Sequence, residues 1–187
     1  MSIVDKAIAA ITPPESDKAR VEATAKARAT AGHGTWFALV LDHHDLLRSA
    51  FAETRNASQA GQQKAALKKL AALLLGHAQA EEAVLYPALA VAHEKAHAEM
   101  GYNEQAMVKM QMAQLEQLPP LSEEFNDKLE HIEGAVLHHM YEEEGTWFLE
   151  LMDKGEKHDM LTQRFREEFE RYMEGKPGMA GSARQLQ

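Results

Sequence analysis

A chain of 187 residues with 45% apolar content is long enough to close one core and too apolar to stay disordered. Its net charge of -9 argues against a nucleic-acid partner, which needs a basic patch, and the lack of cysteine removes disulfides, thiolate metal sites and a cysteine nucleophile. No apolar run approaches the roughly 20 residues that span a bilayer and the first residues carry no signal pattern, so the expected location is cytoplasmic, with no membrane partner.

Residues 2–11 read as a short helix, with Ser2 as N-cap and Pro13–Pro14 as its stop. An alanine-rich helix is predicted over 15–31; GHGT at 32–35 breaks it and leaves Thr35 to cap the next. Long helices follow over about 36–55, 62–92 and 96–117, with Pro87 kinking the second near its end. The LPPLSEEF break at 118–125 opens a fourth helix that runs to about 152. After Gly155, an amphipathic helix over about 156–174 carries Leu161, Phe165 and Phe169 on one face. That face can pack on the bundle or join two copies into a homodimer. GKPGMAGSARQLQ reads as a mobile tail. GTWF occurs at 34–37 and again at 145–148, which reads as coincidence, since one copy opens a helix and the other lies within one.

Four long helices with short connections predict an all-α protein, an antiparallel up-down four-helix bundle over residues 36–152. It is flanked by an N-terminal helical extension at 1–35 and by a C-terminal helix and flexible tail at 153–187.

The core seams of these helices are apolar except at their middles. The second helix reads Leu67, Leu70, Leu74, His77, Glu81, Val84, Ala88, Val91; the fourth reads Leu129, Ile132, Val136, His139, Glu143, Trp147, Leu151. In each, a His and a Glu four residues apart share one face and can chelate an ion or pair with each other. The first helix offers two seams. Phe37, Val40, His44, Leu47 and Phe51 form the bulkier one, favouring His44; Trp36, Leu39, His43, Leu46 and Ala50 form the other. The third carries Gly101, Gln105, Val108, Met112 and Leu115, with Glu104 beside it.

Heights agree. His44 and the centre of the His77/Glu81 pair are about equidistant from Gly61, in the first loop. That pair and Gln105 are equidistant from residue 92; Gln105 and the His139/Glu143 centre are equidistant from residue 123. Each midpoint falls at a predicted turn, so one position per helix meets in a single layer.

Composition alone gives about one His-x-x-x-Glu, and three are present, so a lone pair would mean little. Two on apolar seams at one height carry more weight, because buried unpaired ions cost several kcal/mol each. The layer is therefore read as a metal site, with a hydrogen-bonded polar layer as the alternative. The third pair, His138 and Glu142, sits about 100° off the seam. His33, His131 and His158 read as surface residues, and His93 and His97 fall near the bundle end. The methionines of the third helix read as core filler, Glu82 and Glu144 as solvated, and Tyr86, Tyr102 and Tyr141 as neighbours of the layer. Imidazole with carboxylate suits iron, manganese or zinc.

HAQAEEAVLYPAL (77–89) and HMYEEEGTWFLEL (139–151) resemble the two His-x-x-x-Glu helices of hemerythrin-like domains, the HHE cation-binding family. DHHDLLRSAF (42–51) and EQAMVKMQMAQL (104–115) are similar to that family's first- and third-helix segments. The resemblance implies a non-haem centre of two iron ions. His44 or His43, His77 and His139 would be terminal ligands, and Glu81 and Glu143 bridging carboxylates. The third helix departs from the family's Glu-His, presenting Glu104–Gln105. Gln105 can bind weakly or hydrogen-bond to an iron-bound group, or Glu104 can turn in instead. The implied function is binding or sensing of dioxygen or nitric oxide, or buffering of iron. The competing readings are an enzyme that consumes peroxide or another small oxidant, and a structural layer in an interaction scaffold.

Overall fold

The structure, a computed structural model, describes residues 15–154 and 157–175. The helix expected at 2–11 and the tail beyond Gly175 lie outside the described residues. Among the described residues every regular element is helical.

Helix α1 (Asp17–Ala31) starts where the Ser16 side chain accepts a hydrogen bond from the Ala19 amide. Helix α2 (Trp36–Asn56) is capped in the same way by Thr35, and α6 (Glu123–Glu142) by Ser122. In each case a side-chain oxygen satisfies one of the amides a helix start leaves unpaired. Helix α3 (Ala60–Ala80) runs without interruption through a π-helical turn, π1 (Glu81–Leu85), into α4 (Tyr86–Val91). After α5 (Lys95–Leu115), α6 likewise continues through π2 (Glu143–Trp147) into α7 (Phe148–Lys154), and α8 (His158–Glu174) follows.

The principal packing pairs are α2 with α3, α3 with α8, α4 with α5, and α5 with α6. The apolar face of α8 is covered within the chain: Leu161, Phe165, Phe169 and Met173 are buried, and α8 lies on α2 and α3. Each such side chain contributes about 1.5–3 kcal/mol when fully removed from water. Gly76 permits the approach, since a Cβ there would lie 3.0 Å from Tyr172 Cδ1 and 3.3 Å from Phe169 Cε2. Helix α2 is thus buried on two sides, which explains its two apolar seams. His44 faces one side, while His43 turns to α8 and lies against Phe169, ring centroids 4.0 Å apart.

Each π turn begins at the glutamate of a His-x-x-x-Glu pair. The Tyr86 amide bonds to the Glu81 carbonyl and the Phe148 amide to that of Glu143, a spacing of five residues instead of four. The wider turn inserts about one extra residue and re-aims everything after it. This corrects the seam expected in the second helix. Val91 is 81% exposed, and Tyr86 and Leu89 face the core. Pro87 lacks the amide that would reach the Glu82 carbonyl, and the Tyr102 hydroxyl donates to that oxygen at 2.7 Å. No described helix is long and apolar enough to cross a membrane.

Candidate metal centre

Ligand atoms of His44, His77, Glu81 and Glu143 lie within 4.8 Å of one another, and all four residues are buried. His44 Nε2 stands 3.3 Å from Glu143 Oε2, and His77 Nε2 stands 3.2 Å from Glu81 Oε1. The elements that bring them together are α2, the junction of α3 with π1, and the junction of α6 with π2.

His44 is aimed from behind. Its Nδ1 bonds to Glu144 Oε1 at 2.7 Å, which turns Nε2 toward the group. Arg48 donates to the same carboxylate at 2.7 Å, and Thr24 of α1 donates to its other oxygen. Glu144 is therefore not solvated, as its sequence position suggests; it is 1% exposed. The π turn carries both Glu143 and Glu144 inward. Burial alone would raise the Glu144 carboxyl, but hydrogen bonding and charge from His44, with Arg48, bring it down to about 2.

His139 is fixed in the same way: its Nδ1 bonds to Glu104 Oε2 at 2.7 Å. Its Nε2 lies 3.2 Å from Glu143 Oε1 and 3.0 Å from the Tyr86 hydroxyl. Glu104 thus stands behind a histidine instead of turning into the layer. Gln105 donates both amide hydrogens, to Glu81 Oε2 at 2.6 Å and to the Tyr86 oxygen at 2.7 Å. Tyr86, fully buried, donates to Glu143 Oε1 at 3.0 Å. Its phenol lies inside the layer, a position that α-helical spacing from Glu81 does not give.

Burial and the adjacent Glu143 charge push Glu81 well above the usual carboxyl range. Burial would raise Glu143 as well, but His139 and His44 hold it below its ordinary value. Against burial, Glu143 and Glu104 raise His139. Burial and the charges of His44 and His43 push His77 well down.

Three buried atoms that face the four-residue group make no hydrogen bond: His44 Nε2, Glu81 Oε1 and Glu143 Oε2. A hydrogen-bonded polar layer would satisfy them, since an unpaired buried polar atom costs about 1–3 kcal/mol. Two imidazoles and two carboxylates converging on one point fit a divalent transition metal instead. The carboxylate behind His44 is the usual support for a metal-ligating histidine.

The family model for the hemerythrin HHE cation-binding domain matches residues 37–151. The chain belongs to this family. Its hemerythrin-type domain binds metal cations, and the His/Glu group supplies the donors for one. A curated relative, a DNA nickase of Nostoc sp. (strain PCC 7120), is 33% identical over 75 residues, which is 40% of this chain and 21% of that protein. The similarity therefore spans about a fifth of the nickase. No solved structure matches the chain.

The remaining histidines lie elsewhere. His33 and His93 are exposed. His158 accepts a hydrogen bond from the Trp36 indole at 3.1 Å. His138 bonds to Glu15 at 2.7 Å, so the third His-x-x-x-Glu pair ties α6 to the start of α1. His97 is partly buried beside Glu94 and Glu150 and stacks on Trp147; Lys154 already pairs with Glu94.

Proposed function

We propose that this is a hemerythrin-like non-haem iron protein that binds or senses dioxygen or nitric oxide, or holds iron in reserve. In this reading α2, α3–π1–α4, α5 and α6–π2–α7 form an up-down four-helix bundle around the site. The observation that carries it is the converging donor set of His44, His77, Glu81 and Glu143, three of whose facing atoms make no hydrogen bond, beside a cavity of about 20 Å³. That volume holds about one small molecule. Leu47, Leu74, Val108, Val136 and Met140 give it an apolar wall; His77, Glu104, Gln105 and His139 also border it, as does Lys109, whose ammonium is paired with Glu82. The lining suits a neutral diatomic better than a charged metabolite. Bound iron supplies ferrous–ferric redox chemistry and an open position for such a ligand.

The second reading is an enzyme that consumes peroxide or a similar oxidant. It is favoured by the His139–Glu104 pair, which borders the cavity from outside the four-donor group and can take up and return a proton. The nickase activity of the Nostoc relative is not carried over, because so little of that protein is shared and because this chain is acidic.

The test is to load the chain anaerobically with ferrous iron, count the metal, and add nitric oxide, air or peroxide in turn. A stable, reversible spectral change with nitric oxide or dioxygen supports the binding reading. Sustained decay of peroxide over many equivalents supports the enzyme. Failure to take up any metal rejects both.

A further inference from the structure

The family resemblance implies two ions, but the two halves of this layer are built differently. In one half His44 Nε2, Glu81 Oε1 and Glu143 Oε2 face the group without a hydrogen bond. In the other the same carboxylates are already engaged: Glu81 Oε2 takes a hydrogen bond from Gln105, and Glu143 Oε1 takes one from Tyr86. Each glutamate therefore turns one oxygen to the open group and the other to the Tyr86 hydroxyl and its neighbours.

We propose that this chain holds a single metal ion, bound by His44, His77, Glu81 and Glu143, and that the Tyr86 hydroxyl, fixed by Gln105, fills the place of a second. The inference rests on the metal-binding reading above. Its first support is space. The Tyr86 oxygen stands 3.0 Å from His139 Nε2, 3.0 Å from Glu143 Oε1 and 3.5 Å from Glu81 Oε2, the atoms a second ion would need. An ion bonds to such atoms at about 2.0–2.2 Å. It would therefore compete with the hydroxyl for those atoms and for the space between them. The second support is rigidity. The Tyr86 ring is fully buried with Tyr102 edge-on at 5.1 Å, and it lies so close to Gly101 that a Cβ there would come within 2.6 Å of Tyr86 Cζ. The third is polarity. Gln105 presents its N–H donors to this point, and donors repel a cation. His139 then stands beside the cavity, held by Glu104, and not as a ligand.

The test counts iron in the full chain after anaerobic ferrous loading and records the EPR spectrum after oxidation. One iron per chain, with the half-integer signal of an isolated ferric ion, is expected. His139→Gln should keep that iron and His77→Gln should lose it. Tyr86→Leu, which vacates the hydroxyl position while keeping an apolar side chain, should raise the count to two. Two irons in the unaltered chain, with the EPR-silent ground state of a coupled ferric pair, would overturn the proposal and leave the metal-binding reading standing. So would a visible phenolate-to-iron band lost in Tyr86→Phe, because it would place the tyrosine oxygen on the metal. Loss of the iron in His139→Gln would also overturn it, and this variant serves if Tyr86→Leu folds poorly. Absence of iron from the unaltered chain would reject the underlying reading itself.

Discussion

Glu144 holds His44 by its Nδ1 at 2.7 Å, so the tautomer and aim of a proposed ligand on α2 are set by a residue of π2. The contact spans 100 positions of sequence and also engages Arg48 and Thr24. Replacing Glu144 with Gln keeps the shape and removes the charge that favours Nε2 as the metal-facing atom. Metal affinity should fall by about 10–100-fold, the usual cost of losing such a support. Competition with a chelator of known affinity measures it; unchanged affinity would mean that Glu144 serves packing alone.

Gly101 and Tyr86 form a second close pair, with an added Cβ meeting three ring atoms at 2.6–3.0 Å. Gly101→Ala should destabilise the fold by about 1–3 kcal/mol, the range for overpacking a filled core. The ring cannot yield without breaking its bonds to Glu143 and Gln105. Combining Gly101→Ala with Tyr86→Leu should cost less than the two changes summed. Denaturant midpoints of the four proteins give the coupling, and additivity would show that the ring simply moves aside.

These two pairs mark where the sequence was legible and where it was not. Caps at Thr35 and Ser122, the seam through Val40, His44 and Leu47, and the meeting of His77, Glu81 and Glu143 follow from local chemistry and a 3.6-residue period. The π turns do not, because nothing in EEAVL or EEGTW forces a fifth residue into the turn. Without that residue, Tyr86 falls off the seam, Val91 falls on it and Glu144 points to water. Two signals were present in retrospect: the glycine at 101, opposite a large ring, and the second apolar seam on α2, which announced that α8 would cover it.

Acid should loosen α1 before the rest of the chain. Burial would raise the Glu15 carboxyl, but hydrogen bonds from His138 and Arg20 lower it below its ordinary value. A carboxyl lowered on folding binds fewer protons in the native state than in the unfolded one. Its contribution is therefore present above the unfolded value of 4.5 and is lost as pH falls through the lower folded value. Amide exchange in α1 should accelerate over that window. Glu15→Gln should show the faster exchange already at neutral pH and remove this part of the pH dependence. Exchange in Glu15→Gln that matches the unaltered chain at every pH would show that other contacts anchor the helix.

Val108 stands between the site and the outside. It borders the small cavity at His77 and His139, and it also borders an outer cleft of about 250 Å³ lined by Asn103, Met107, Gln111, His131 and His138. Glu104 borders both spaces as well, but its bond to His139 commits it to the site. Val108 is therefore the residue to change if access alone is to be altered. Val108→Phe adds bulk to the partition without touching a ligand atom, so metal content should stay the same. Ligand entry should slow, seen in stopped-flow as a several-fold lower rate of nitric oxide binding with a similar final spectrum. An unchanged rate would place the entry route elsewhere. A changed metal content would show that the partition also shapes the donor set.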